Sequence, residues 1–115
     1  PFKKLYEAGC VVALATDFNP GTSPSLNMQG AFALGVLQMR MPVEVALTAG
    51  TINAAYALGA NDETGSLEVG KRADMVVLDC RLAELPYHWC ENHAKEVVCN
   101  GRRVETGGEL GSSGS

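Results

Sequence analysis

Ala13-Leu14-Ala15-Thr16-Asp17-Phe18-Asn19-Pro20-Gly21-Thr22-Ser23-Pro24-Ser25 is the stretch whose reading decides the fold. The run that feeds it, residues 10–15, carries no polar side chain, and Asp17 is the first charge beyond it. A turn rich in Asn, Pro, Gly and Ser follows, and a long apolar segment with helical spacing begins near Ser25. This order predicts a strand buried on both faces, a tight loop and a helix N-terminus. In α/β folds, ligands and catalytic groups collect beyond the carboxyl ends of strands, which is where Asp17 falls.

Working outward, residues 3–8 read as the last turns of a helix stopped by Gly9. The helix after the loop is expected from about residue 25 to 40, with Leu26, Phe32, Ala33, Val36, Leu37 and Met41 as its apolar stripe. Gly30 and Gly35 weaken that helix and suit close packing. Pro42 predicts a first helical position, and residues 43–49 a short helix ended by Gly50. Thr51 is a candidate N-cap for a helix over residues 53–58, with Gly59 as its stop. Beyond Asn61 the character changes. Residues 65–71 read as turn-rich with short strands, 73–79 as a strong strand, and 81–92 as irregular. Asn100-Gly101 marks a hairpin over residues 95–105. The Gly/Ser-rich residues 107–115 predict a flexible tail. The expected organisation is α/β: residues 1–60 as the last strand, loop and helices of a barrel, 61–106 as part of a small β domain, and 107–115 as the tail.

Composition narrows the function. The chain has 115 residues, 46% of them hydrophobic and 19% charged, which suits one modest core. It is too short for a complete α/β barrel of about 250 residues. Residues 1–6 read as the tail of an earlier element, so the chain is expected to be a piece of something longer. A net charge of −4 with Lys and Arg in pairs at most argues against nucleic-acid binding. No apolar run approaches a membrane span. The four cysteines, Cys10, Cys80, Cys90 and Cys99, form no C-x-x-C pair and are expected to be reduced, with Cys10 and Cys99 as small hydrophobes inside strands.

Asp17 admits two readings: a metal ligand or proton acceptor at a strand end, or a turn or helix-capping carboxylate. The run Asn19-Pro20-Gly21-Thr22-Ser23 offers a close backbone approach, hydroxyls and a helix N-terminus for an anion, or is a well-capped loop. No nucleotide P-loop pattern is present. His88, Cys90 and His93 are the other potential metal ligands, but their spacing fits no closed four-ligand motif, and Tyr87 and Trp89 suggest packing.

Residues 15–29 closely resemble the final barrel loop of the imidazolonepropionases, a family of the amidohydrolase superfamily. Residues 51–59 and 65–79 resemble the superfamily's C-terminal signature, and Leu85-Pro86-Tyr87-His88 with Asn92-His93 again resembles imidazolonepropionases. The resemblance implies the terminal βα unit of a (β/α)8 barrel, part of a β-sandwich domain, and one zinc or iron ion. Asp17 would be both metal ligand and catalytic residue, orienting the attacking water. Asn19, Gly21 and Thr22 would contact 4-imidazolone-5-propanoate or its product, N-formimidoyl-L-glutamate. The family's His-x-His pair, its further ligand His and its acid/base Glu have no counterpart here, so the chain alone is expected to be inactive. The resemblance also implies a cytoplasmic homodimer. The competing expectations are a segment of another cyclic-amide amidohydrolase and a non-catalytic truncated module acting in assembly.

Overall fold

The computed structural model describes residues 2–17 and 27–104. Among the described residues four helices precede a three-stranded sheet: α1 (Phe2–Glu7), α2 (Met28–Leu37), α3 (Val43–Gly50) and α4 (Ile52–Ala57), then β1 (Met75–Leu78), β2 (Ala94–Cys99) and β3 (Arg102–Val104). A 3-10 helix, Leu82–Tyr87, lies between β1 and β2.

Residues 10–16 run as an extended segment, their burial alternating along the chain, but pair with no strand among the described residues. This corrects the expectation of a strand buried on both faces. Val12, Leu14 and Thr16 are half-buried while Val11, Ala13, Ala15 and Asp17 are exposed. One face packs on the helical layer and the other stays open, because a strand acquires a second buried face only when neighbours cover it. Two hydrogen bonds hold the segment in place. The Leu14 N–H donates to the Ala49 carbonyl at 2.9 Å, and the Asn53 side-chain amide donates to the Val12 carbonyl at 2.9 Å.

Helix α2 is shorter at both ends than the apolar stripe suggests. Asn27 caps it, its side-chain oxygen accepting from the N–H groups of Gln29 and Gly30. Arg40, at φ +60°, has already left helical geometry. Phe32, Ala33 and Gly35 are buried, whereas Leu37 is exposed. The two glycines act as expected. A Cβ on Gly35 would lie 2.9 Å from the Met41 sulfur, and one on Gly30 would lie 3.3 Å from the Trp89 ring. Pro42 precedes α3 as its N-cap residue, and Thr51 precedes α4 without a side-chain capping bond; its hydroxyl instead donates back to the Leu47 carbonyl. Gly9 and Gly59, at φ +85° and +73°, end α1 and α4 as read.

The core unites Phe2, Phe32, Met41, Ala46, Ala49 and Leu85, so α1, α2, α3 and the 3-10 helix share one apolar centre. That 3-10 helix occupies residues read from sequence as irregular. Arg81 and Glu84 close its first turn, with the Glu84 carboxylate accepting from the Arg81 backbone and guanidinium. Residues 65–71 form turns rather than short strands. The sheet is antiparallel in the order β1-β2-β3. Asn100 and Gly101, both with positive φ, form the β2–β3 turn, as the Asn-Gly pair predicts. The cysteines are free, but Cys10 and Cys99 are exposed rather than buried, because both the extended segment and the sheet are covered only in part.

Candidate functional site

Asp17 ends the extended segment, exposed and at φ +52°. Asp is among the few side chains that visit left-handed backbone readily. The segment is braced from behind by α3 and α4, through Ala49 and Asn53. Asn53 thereby gains a structural account: it is the residue through which the 51–59 run holds the chain that delivers Asp17. Removing it leaves the Val12 carbonyl without this donor. Asn53→Ala is expected to cost about 1–2 kcal/mol, read as a lower urea midpoint; an unchanged midpoint would deny the brace.

The other predicted contacts, Asn19, Gly21 and Thr22, lie outside the described residues. An open depression of about 330 Å³ lies beside the extended segment, between Leu14, Ala15 and Thr16 on one side and Asn27, Gly30, Leu34 and Trp89 on the other. None of its lining residues is charged. It therefore offers an apolar wall and no counter-ion for a carboxylate.

The potential metal ligands sort differently from their sequence spacing. Among the described residues one group of three comes together, Asp79, Cys80 and His93, with ligand atoms within 4.8 Å of one another. Cys90 is exposed and outside that group, so the 88–93 stretch supplies only His93 to it. Both ring nitrogens of His93 are engaged, Nδ1 with Asp79 Oδ1 at 2.8 Å and Nε2 with the His88 carbonyl at 2.7 Å. Burial, and then the nearby Asp79 and Glu84 carboxylates, push the Cys80 thiol above its ordinary range, away from the thiolate that binds metal. Asp79 and His93 thus form a hydrogen-bonded pair, with the Cys80 thiol beside it. No group of three or more potential ligands includes Asp17 among the described residues. Catalytic zinc takes three protein ligands, so the described residues do not compose a metal centre around Asp17.

Asp74 is a second anchor that sequence reading passed over as part of a strand. Its carboxylate accepts from the Asn100 N–H at 2.6 Å and the Thr64 hydroxyl at 2.8 Å, and Arg72 lies at 3.4 Å. The backbone bond from Asn100, then the Thr64 bond, hold its carboxyl below the usual range. The 65–79 run is thus a structural signature: it fastens the turn after α4 to the β2–β3 hairpin.

The amidohydrolase family model matches residues 1–104. The chain belongs to the amidohydrolase family. This amidohydrolase chain is 48% identical over 109 residues to the imidazolonepropionase of Geobacillus sp. (strain WCH70), covering 94% of the chain and 26% of that protein. It is 42% identical over 109 residues to the imidazolonepropionase of Alkaliphilus oremlandii, with the same coverage, 94% and 26%. The chain therefore spans about a quarter of these curated relatives and matches one part of the longer enzyme. Among solved structures, a putative prolidase from Bifidobacterium longum superposes with a TM-score of 0.76 at 34% identity, covering 88% of this chain and 24% of that one. An adenosine deaminase from Xanthomonas campestris with bound zinc gives 0.70 at 26% identity, covering 86% and 26%. These neighbours place the helices and the three-stranded sheet within an amidohydrolase fold. No helix of the described residues is long and apolar enough to cross a membrane.

Proposed function

We propose that this chain is the C-terminal portion of an imidazolonepropionase, the enzyme that opens the ring amide of 4-imidazolone-5-propanoate by hydrolysis to give N-formimidoyl-L-glutamate in histidine degradation. The observation that carries the reading is identity of 40–48% to imidazolonepropionases over 89–94% of the chain. The open face of residues 11, 13 and 15 supports it, because the last strand of a closed barrel would present that face to residues outside this chain. On this reading residues 1–60 end the barrel and residues 61–106 belong to a small β-sandwich domain.

Asp17 is then one ligand of a zinc or iron ion, and the remaining ligands come from parts of the enzyme outside this chain. On this reading its carboxylate would also hold the attacking water and accept its proton. Asn19, Gly21 and Thr22 contact the substrate or product, with backbone and hydroxyl donors suited to the propanoate carboxylate. The isolated chain, with one ligand, is inactive. The intact enzyme is a cytoplasmic homodimer.

The test is an assay of the intact protein containing this chain against 4-imidazolone-5-propanoate and a panel of other cyclic amides, including hydantoins. Turnover of the imidazolone, at least about 1,000-fold above the panel, is the expected result; a hydrophobic pocket alone discriminates near-isosteres by up to about 200-fold. Preference for another cyclic amide would overturn the assignment of substrate.

A further inference from the structure

The segment from His88 to His93 is fastened by a set of bonds that the proposed hydrolysis does not use. Gln29, in the first turn of α2, is their centre. Its side-chain oxygen accepts from the His93 N–H at 3.0 Å, and its side-chain nitrogen donates to the carbonyls of Glu91 at 2.6 Å and Trp89 at 3.3 Å. Asn27, the cap of α2, also donates to the Trp89 carbonyl at 3.3 Å. The Trp89 ring lies against Gly30, where a Cβ would come within 3.3 Å of it.

The segment is closed on itself by the imidazole of His93. Its Nε2 faces the His88 carbonyl and its Nδ1 faces the Asp79 carboxylate just beyond β1. A carbonyl can only accept, and so can an ionised carboxylate, so both bonds form together only when both ring nitrogens carry hydrogen. Holding both bonds at once requires the imidazolium form. The His93 side chain is 12% exposed, whereas the Asp79 side chain is half exposed.

We propose that His93 is the pH-sensing member of a latch in which Gln29 docks residues 88–93 on the N-terminus of α2. Loss of one proton leaves a ring that donates to only one of its two acceptors. The segment then opens at His88 or parts from Asp79, and the carbonyls of Trp89 and Glu91 shift off Gln29. The titratable groups around the ring are Asp79 and Cys80 after β1, Glu91 within the segment, and His88 at the end of the 3-10 helix, with Glu84 acting on Cys80. Helix α2 contributes no charge. The Asp79 side chain first, and then the His88 carbonyl, hold the imidazole above its ordinary value of 6.5, against the opposing effect of burial. A raised value in the folded state means the latch is fully closed below pH 6.5 and is lost as the pH rises through the folded-state midpoint.

Trp89 is the only tryptophan of the chain and sits within the latch, so its emission reports on it. The experiment follows the histidine ring protons by NMR and Trp89 emission on the 115-residue chain from acid to alkaline pH, with His88→Gln to assign the two histidines. The expected result is a His93 midpoint above 6.5 and an emission step at the same midpoint. His93→Gln is expected to abolish the step, and Gln29→Met to keep the His93 titration while reducing the step by at least half. A His93 midpoint at or below 6.5, a flat emission in the parent chain, or a step that survives His93→Gln would overturn the proposal. If His93→Gln fails to fold, the parent titration decides alone. None of these readouts is turnover, so the latch and the hydrolase reading stand or fall separately.

Discussion

Asp17→Asn in the intact protein is expected to reduce ring-opening turnover by more than about 100-fold while leaving the fold in place. The two halves of that expectation have separate causes. Asn is nearly the same size as Asp and, like it, tolerates the left-handed backbone that Asp17 adopts at φ +52°. The side chain is exposed, so stability should change by no more than about 0.5 kcal/mol. Asn, however, is a neutral amide, and it neither balances a metal's charge nor takes a proton from water. Changes to groups that merely support metal ligands already cost about 10–100-fold, and loss of a ligand should exceed that. Metal content of the intact protein should fall in parallel. A variant with half the parent's turnover and full metal content would remove Asp17 from the centre. The 115-residue chain by itself should hold no stoichiometric metal. Stoichiometric metal that survives Asp17→Ala would mean that Asp17 is not the residue that holds it.

Local chemistry was the part of this fold open to reading from sequence. Asn100-Gly101 specifies its turn because two consecutive residues must accept positive φ, and both do. Gly9 and Gly59 end helices for the same reason. The ends of α2 were harder, since Leu26 and Met41 extend its apolar pattern while Asn27 and Arg40 set its actual limits. Residues 10–15 show the opposite failure. Their composition suits burial on two faces, but burial is a property of neighbours, and the described residues cover one face only. The candidate site divides in the same way. The place of Asp17 after an apolar run was legible because it is a matter of order along the chain. The brace from Asn53 crosses 41 residues, and the Gln29 bonds to the 88–93 segment cross 60 or more. No periodicity encodes such a pairing. A polar residue in an otherwise apolar helical turn, as at Gln29 and Asn53, was the available signal, and it does not name a partner.

Gly65→Ala should be the most destabilising single-methyl change in the described part of the chain, costing about 2–5 kcal/mol. Two effects add at this position. Gly65 sits at φ +99°, where an L side chain is strained by roughly 1–2 kcal/mol. A Cβ there would also lie 2.8 Å from the Ala55 Cβ and 3.0 Å from the Ile52 Cα. Neither atom belongs to a flexible side-chain end, since both are fixed by α4, so the strand-bearing turn must move as a unit; overpacking of this kind costs about 1–3 kcal/mol. Gly35 supplies the control. A Cβ there would meet the ends of Met41 and Leu14, at 2.9 and 3.0 Å, which can turn aside. Gly35 is also inside α2, where Ala is favoured over Gly by about 1 kcal/mol. Gly35→Ala should therefore fall within about 1 kcal/mol of the parent. Urea midpoints for the two variants, measured side by side, decide between fit and mere crowding. Equal losses would mean that close approach alone sets the cost. A large loss at Gly65 with little at Gly35 would mean that what matters is whether the neighbour can yield, and it would locate the rigid joint between α4 and the sheet at Gly65.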